Sequence, residues 1–205
     1  SIMFTVAFFV SIMSEFSFIL GNGQTRLHLD PSNLMLAGSV YACNRAYEEF
    51  TPDVLVSTDT AMAREIQESG YSEKNVHYTR ESNIIRGSGA RALQPAYAVF
   101  SSGPNALALA AIAEFPYIFL IGFDLVSENK LVNNIYSDTP YYVKSDSLST
   151  NSDNWVTQIY EIAEKFKNQR FIHVNPLLGY TPETWITLPN FEVMDIPGFK
   201  FMLNI

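Results

Sequence analysis

Cysteine and histidine are scarce in this 205-residue chain, which contains one cysteine and three histidines. The single Cys43 excludes a disulfide within the chain and a structural zinc site made of several cysteines. His28, His77 and His173 lie far apart in the sequence, without the short spacing that places two histidines on one face of a helix. We therefore predict no bound metal ion and no disulfide framework.

Basic residues are also few, since 13 Lys and Arg stand against 21 Asp and Glu and give a formal net charge of −8. A nucleic-acid-binding surface needs clustered Lys and Arg to displace counterions, so this charge argues against such a partner. A small anionic ligand is still compatible with this net charge, because helix N-termini and loop amides bind phosphate without many basic side chains.

A long hydrophobic run is missing too. The most apolar segment, residues 2–13, is shorter than the about 20 residues of a membrane-spanning helix, and no basic region precedes it as in a signal peptide. We interpret residues 1–12 as an apolar N-terminal extension that covers its own domain or a partner subunit, and Met13 as a candidate natural start. The predicted protein is cytoplasmic and has no stable membrane span, and the sequence leaves a homo-oligomer open.

Hydrophobic residues make up 47% of the chain and occur in short runs separated by helical segments. Strands are predicted at Phe16–Leu20, Ser39–Cys43 and Tyr117–Ile121 and at residues 53–57, 76–79, 83–85 and 171–174. Helices are predicted at residues 31–36, 60–69, 105–114 and 155–166, whereas residues 126–154 indicate a long polar lid and residues 179–205 an irregular tail. The alternation favours a single Rossmann-like, doubly wound α/β domain over residues 13–205, with a mostly parallel sheet.

The first predicted strand ends in a glycine turn, F-S-F-I-L-G-N-G, at residues 16–23. A buried strand that ends in G-x-G brings backbone N–H groups up to a phosphate, and the missing Cβ atoms of Gly21 and Gly23 let a ligand approach closely. The third glycine of a dinucleotide-binding fingerprint is absent, so a tight turn without a ligand fits the same residues.

Polar residues and glycines also follow other predicted strands. The carboxyl ends of parallel strands meet at one edge of the sheet, where ligands of doubly wound folds bind. Pro104 is expected at the first position of a buried helix and Ser102 near its N-cap, which directs the positive helix end toward this edge. We therefore predict a nucleotide-binding crevice lined by Gly21, Asn22, Gly23, Asn44, Arg45, Asp59, Ser101, Ser102, Gly103 and Asp124.

The order of these motifs resembles the bacterial sialyltransferases that decorate lipooligosaccharide, and their uncharacterised Rossmann-like relatives. The matching pieces are F-I-L-G-N-G, A-C-N-R, S-S-G before a buried helix, and Y-I-F-L-I-G-F-D, which span residues 16–125; residues 154–174 match more loosely. The resemblance implies a metal-independent glycosyltransferase without a cofactor, which uses a nucleotide-sugar donor, CMP-linked in this family, and a glycan acceptor. Asn22 and Asn44 match asparagines that contact the donor, and Ser102-Gly103 matches a pair near it.

The chain departs from this family in the lid, where a histidine serves the family as general base toward the acceptor hydroxyl. No histidine lies between Asp124 and Trp155. The resemblance then leaves Tyr136, Tyr141 and Tyr142 to neutralise the departing phosphate, and Asp138 to act as the base. Asp59 stands where the family has another donor-binding asparagine, and a carboxylate there repels a phosphate unless it binds a ribose or a metal ion.

Two alternatives remain open at the level of sequence. A hydroxymethylpterin diphosphokinase-like enzyme shares the glycine turn and the G-x-D block, and would use ATP with Mg²⁺ held by Asp59 and Asp124. A non-catalytic nucleotide-binding relative would keep the crevice without the chemistry, as the missing histidine suggests. Whether the protein is an enzyme is therefore not decided by its sequence.

Overall fold

The computed structural model describes residues 14–125, 131–148, 152–175 and 180–205. The predicted extension at residues 1–12 and the candidate start at Met13 lie outside these ranges. The described strands are β1 (Phe16–Leu20), β2 (Ser39–Cys43), β3 (Val54–Ser57), β4 (His77–Thr79), β5 (Arg91–Ala92), β6 (Tyr117–Ile121), β7 (Arg170–Asn175) and β8 (Phe191–Asp195). The described α-helices are α1 (Pro31–Ala37), α2 (Thr60–Glu68), α3 (Tyr71–Lys74), α4 (Ser102–Ile112), α5 (Asp153–Lys165), α6 (Glu183–Ile186) and α7 (Ile196–Leu203).

All eight described strands form one parallel sheet in the order β5-β4-β3-β2-β1-β6-β7-β8. The chain starts in the middle with β1, proceeds outward through β2 to β5, and returns to β6 on the other side of β1. The direction of strand order therefore reverses between β1 and β6, where Ile19 lies beside Leu120. Such a reversal opens a crevice at the carboxyl ends of the two strands.

Helices cover both faces of the sheet, so the predicted doubly wound α/β fold is confirmed. One core contains the buried residues of α4 and α5 with Ile19 and Leu120, and the other contains Phe18 and Phe119 with Phe199 of α7. Strand residues alternate between the two cores because successive side chains point to opposite faces. Both faces are apolar along β1 and β6, which explains their nearly continuous hydrophobic runs.

The tail contradicts the predicted irregular structure, because it contains α6, β8 and α7. Strand β8 reads F-E-V-M-D, and only Phe191 in it is buried, so this edge strand carries a weak apolar pattern. Pro197 stands in the first turn of α7, where its missing N–H is not needed, and the Asp195 side chain accepts a hydrogen bond from Gly198 N there. A proline taken for a chain break thus lies at a helix start.

One smaller prediction also changes. The expected strand at residues 83–85 is wrong, because Glu81–Asn83 forms a 3₁₀ turn and the next paired segment is β5. None of the helices in the described ranges is long and apolar enough to cross a bilayer.

Candidate functional site

A pocket of about 360 Å³ opens at the carboxyl ends of β1, β2, β3 and β6, beside the first turn of α4. Its position is the topological switch point of the sheet, and its size falls within the range of small-molecule sites. The pocket brings together ten of the residues that the sequence places in a site. They are Gly21, Asn22, Gly23, Asn44, Asp59, Ser101, Ser102, Gly103, Tyr141 and Tyr142.

The glycine turn after β1 packs against the turn after β6. Gly21 N donates a hydrogen bond to Ile121 O and Gly23 N donates one to Gly122 O, each at 2.8 Å. A Cβ atom on Gly21 would lie 2.5 Å from Gly122 O, and a Cβ atom on Gly23 would lie 2.5 Å from Asp124 Cγ. The expectation that these glycines present free N–H groups to a phosphate is therefore wrong. Their missing side chains let two backbone turns approach each other.

The N-terminus of α4 supplies free N–H groups instead. The helix begins at Ser102 with Ser101 as its N-cap, so Pro104 is the third helical residue rather than the first. The Ser101 hydroxyl does not cap the helix, because it accepts a hydrogen bond from Trp155 Nε1 at 3.0 Å. The first intrahelical bond runs from Asn105 N to Ser101 O at 3.0 Å. The N–H groups of Ser102 and Gly103 thus have no acceptor among the described residues, at the positive end of a buried helix.

A hydrogen-bonded triplet joins α4 to the ends of β2 and β3. Ser102 Oγ accepts from Thr58 N at 3.0 Å, lies 3.0 Å from Thr58 Oγ1, and donates to Asn44 Oδ1 at 3.1 Å. Asn44 adopts a φ of 54°, a left-handed conformation in which asparagine is enriched. Because Ser102 holds the carbonyl oxygen of the Asn44 amide, the NH₂ group of that amide is the part left for a ligand.

Three buried polar atoms of residues that line the pocket lack a hydrogen-bond partner among the described residues, namely Asn22 Oδ1, Asn133 Nδ2 and the Tyr142 hydroxyl. Buried polar groups are nearly always hydrogen-bonded, since leaving one unpaired costs about 1–3 kcal/mol. Burial raises the pKa of Tyr142 to about 12, so its hydroxyl stays protonated at neutral pH and is able to donate. A polar ligand that reaches these atoms would satisfy them.

The Asp59 carboxylate also lines the pocket, and it is exposed. Asp59 is the N-cap of α2, and its Oδ1 accepts hydrogen bonds from Ala61 N at 3.0 Å and Met62 N at 3.1 Å. This local role explains the aspartate at the end of β3 without a ligand.

Four predicted site residues are not among those lining the pocket: Arg45, Asp124, Tyr136 and Asp138. Arg45 pairs with Glu48 at 2.6 Å and with Glu65 at 3.2 Å. Both partners are acidic residues of its own surroundings, so its charge is balanced within the protein. A phosphate in the pocket therefore has no free cation in Arg45.

Asp124 is buried and accepts a hydrogen bond from Thr25 N at 2.9 Å. Burial raises the pKa of this carboxyl. Since Gly23 also packs against its carboxyl group, Asp124 holds the turn after β1 onto the end of β6.

Tyr136 and Asp138 belong to the predicted lid but face other partners. The buried Tyr136 hydroxyl accepts a hydrogen bond from Arg26 Nη1 at 2.9 Å, and burial raises its pKa. Asp138 is exposed and accepts a hydrogen bond from Ser145 N at 3.1 Å. Hydrogen bonding by the Ser145 side chain, and next by its backbone, lowers the pKa of Asp138.

The described part of the lid, residues 131–148, is attached to the glycine turn. Ile135 N donates to Asn22 O, and Gln24 N donates to Asn133 Oδ1, each at 2.8 Å. An isolated antiparallel bridge joins Leu131 to Leu148. Residues 126–130 and 149–151 of the predicted lid lie outside the described ranges.

Sequence reasoning missed several lining residues, among them Met62, Gly122, Asn133, Asn134 and Trp155. Trp155 fits the apolar period of α5, and nothing in that period shows that its ring reaches the pocket mouth. Asn133 and Asn134 lie in a polar segment in which asparagine is common. Only their contact with a turn more than a hundred residues away makes them part of the site.

The described residues hold no group of three or more His, Cys, Asp and Glu side chains placed to bind a metal ion. Of the two aspartates that would hold Mg²⁺ in the diphosphokinase-like alternative, Asp59 lines the pocket and Asp124 does not. Comparison of the chain with protein-family models, curated proteins and solved structures gives no match.

Proposed function

We propose that the protein is a glycosyltransferase that binds a nucleotide-sugar, CMP-linked by the resemblance, in the pocket at the switch point. The observation that carries this proposal is the pair of unpaired N–H groups at Ser102 and Gly103. They form an anion site on a buried helix, and Asn22 and Asn44 line the same pocket.

The phosphate of the donor binds the N–H groups of α4, which suits an acidic protein whose Arg45 is already paired. The Asn22 and Asn44 side chains bind the base and the ribose, since an amide both donates and accepts hydrogen bonds. The Asp59 carboxylate opposes phosphate binding, so we expect modest affinity in the absence of an acceptor.

In the proposed reaction, an acceptor hydroxyl oxygen attacks the anomeric carbon of the donor sugar. The bond from that carbon to the phosphate oxygen breaks, and its electron pair leaves with the phosphate. The protonated hydroxyl of Tyr142 donates a hydrogen bond to the departing oxygen, and Tyr141 lines the same pocket. The acceptor proton passes to Asp59, the one carboxylate among the described lining residues, since Asp138 lies elsewhere.

Calorimetry with cytidine, uridine, guanosine and adenosine phosphates, with and without Mg²⁺, tests this proposal. The expected result is metal-independent binding with a preference for cytidine. Replacing Asn22 with Ala removes one ligand hydrogen bond and should weaken binding by about 1–3 kcal/mol, which is about 5- to 150-fold in Kd. Asn168→Ala, an exposed asparagine outside this pocket, is the matched control and should bind like wild type.

Absence of nucleotide binding by the wild type, or equal affinity of the Asn22→Ala variant, would refute the proposed site. Binding of ATP that requires Mg²⁺ would favour the diphosphokinase-like alternative. Nucleotide binding without hydrolysis or transfer of any donor sugar would favour the non-catalytic alternative.

A further inference from the structure

A second, smaller pocket of about 150 Å³ lies beside the first and shares six described lining residues with it. Residues of the lid and of the start of α5 line both pockets, and Val132 and Val143 of the lid line only the second. The residues common to both pockets are Leu125, Asn133, Asn134, Tyr141, Tyr142 and Trp155. A ligand in the first pocket is therefore a neighbour of one in the second.

The second pocket combines aromatic rings with neutral polar groups. Tyr141, Tyr142 and Trp155 supply the rings and Asn133 and Asn134 supply amides, and none of the described lining residues is charged. This lining differs from that of the first pocket, which contains Asp59 and the anion site at Ser102 and Gly103. The described lining of the second pocket thus offers a phosphate no charged group.

Trp155 is held in position for stacking. Its indole Nε1 donates to Ser101 Oγ at 3.0 Å, so the polar edge of the ring is satisfied and its faces remain for contact. Its side chain is 36% exposed and that of Tyr141 is 64% exposed, although large aromatic residues elsewhere in the core are fully buried. Since Ser101 directly precedes the two free N–H groups of α4, the ring lies beside the anion site.

We infer that the second pocket binds an uncharged sugar ring, with its C–H face packed on Trp155 and its hydroxyls on the neighbouring amides and phenols. Sugar hydroxyls both donate and accept, as do amide and phenol groups. The volume suits a single ring. This inference rests on the proposed function, in which the second pocket holds the acceptor sugar next to the departing phosphate.

Tryptophan fluorescence tests the inference, because the chain has two tryptophans and only Trp155 lines a pocket, whereas Trp185 is fully buried. Methyl glycosides of galactose, glucose and N-acetylglucosamine are titrated at millimolar concentration, with and without a saturating nucleotide. At least one glycoside should change the emission of the wild type, and the change should vanish in Trp155→Phe. Phe201→Ala, an 89% exposed aromatic on α7, is the control and should respond like wild type.

The affinity for the same glycoside should fall by about two- to tenfold in Trp155→Ala. Trp155→Phe keeps an aromatic ring for packing, so it controls for a folding defect in Trp155→Ala. Cytidine or uridine nucleosides that change the Trp155 emission while no glycoside does would overturn the inference in favour of a base subsite. No response to any glycoside would also overturn it. A glycoside response in a protein that binds no nucleotide would leave the sugar subsite standing and remove the nucleotide proposal.

Discussion

Two buried histidines are expected to make the stability of the protein depend on pH. His77 is fully buried, with Nε2 at 2.7 Å from Ser57 Oγ and Nδ1 at 2.8 Å from Ser72 Oγ. His173 is fully buried too, and its Nδ1 lies 2.7 Å from Thr181 Oγ1. Burial lowers the pKa of each from 6.5 to about 4, because a charged imidazole loses its hydration inside the protein.

The sign follows from proton binding in the two states. Between pH 6.5 and about 4 the unfolded chain binds protons on both histidines and the folded protein does not, so the free energy of unfolding falls as the pH falls through this window. The pKa difference gives a loss of about 2 kcal/mol per histidine at pH 5, or about 4 kcal/mol for the pair. This is a large share of the roughly 5–15 kcal/mol that stabilises a typical domain.

Urea unfolding at pH 7, 6 and 5, followed by circular dichroism, measures this loss as a fall in the midpoint at constant m value. His77→Gln keeps groups that bond the two serines and should remove about half of the pH dependence. His28→Gln, at an exposed position, should keep all of it. Because variants are compared at the same pH, contributions from carboxylates such as Asp124 cancel. Equal slopes in wild type and His77→Gln would refute the reasoning.

Three further predictions concern the pocket. Asp59→Asn should tighten nucleotide binding by about two- to fivefold at low salt and slow sugar transfer by about 10²- to 10⁴-fold. Asp195→Asn, which changes another N-cap aspartate outside this pocket, is the control and should change neither the affinity nor the rate. Unchanged turnover in Asp59→Asn would exclude Asp59 as the base. Gly23→Ala should lower the free energy of unfolding by about 1–3 kcal/mol, because the added Cβ atom meets the Asp124 carboxyl group. Urea unfolding measures this loss. Unchanged stability of the variant would mean that the turns after β1 and β6 separate without cost. Tyr142→Phe should reduce turnover with little change in stability. Tyr136→Phe, which alters no residue that lines the pocket, should leave turnover unchanged. Equal turnover rates in the two variants would exclude Tyr142 from the mechanism.

The central strands could be predicted because their burial is continuous. Strands β1, β2 and β6 have the predicted bounds, since side chains on both faces of a covered parallel strand are apolar. Strand β8 could not be predicted in the same way, because one of its neighbours is solvent and its apolar residues alternate with charged ones. Pro197 stands in the first turn of α7, and local composition does not separate a proline in a first turn from a proline in a loop.

The lining of the site could be predicted where it follows directly from strand ends. Asn22, Asn44 and Ser102 lie just past a strand or at the start of the helix that leads into one, so the parallel sheet brings them to one edge. Asn133 of the lid and Trp155 of α5 could not be predicted as site residues, because their positions depend on contacts with Gln24 and Ser101, far away in the chain.

The sequence by itself determined the type of fold, the positions of its main strands along the chain and the edge of the sheet where polar residues meet. Only the tertiary structure decided which polar groups remain unpaired there. The N–H groups of Gly21 and Gly23 look free in the sequence but are bound by β6 and the turn after it, whereas those of Ser102 and Gly103 stay open. A sequence shows which donors and acceptors exist, but their partners lie on distant segments, and folding alone brings those segments into hydrogen-bonding distance.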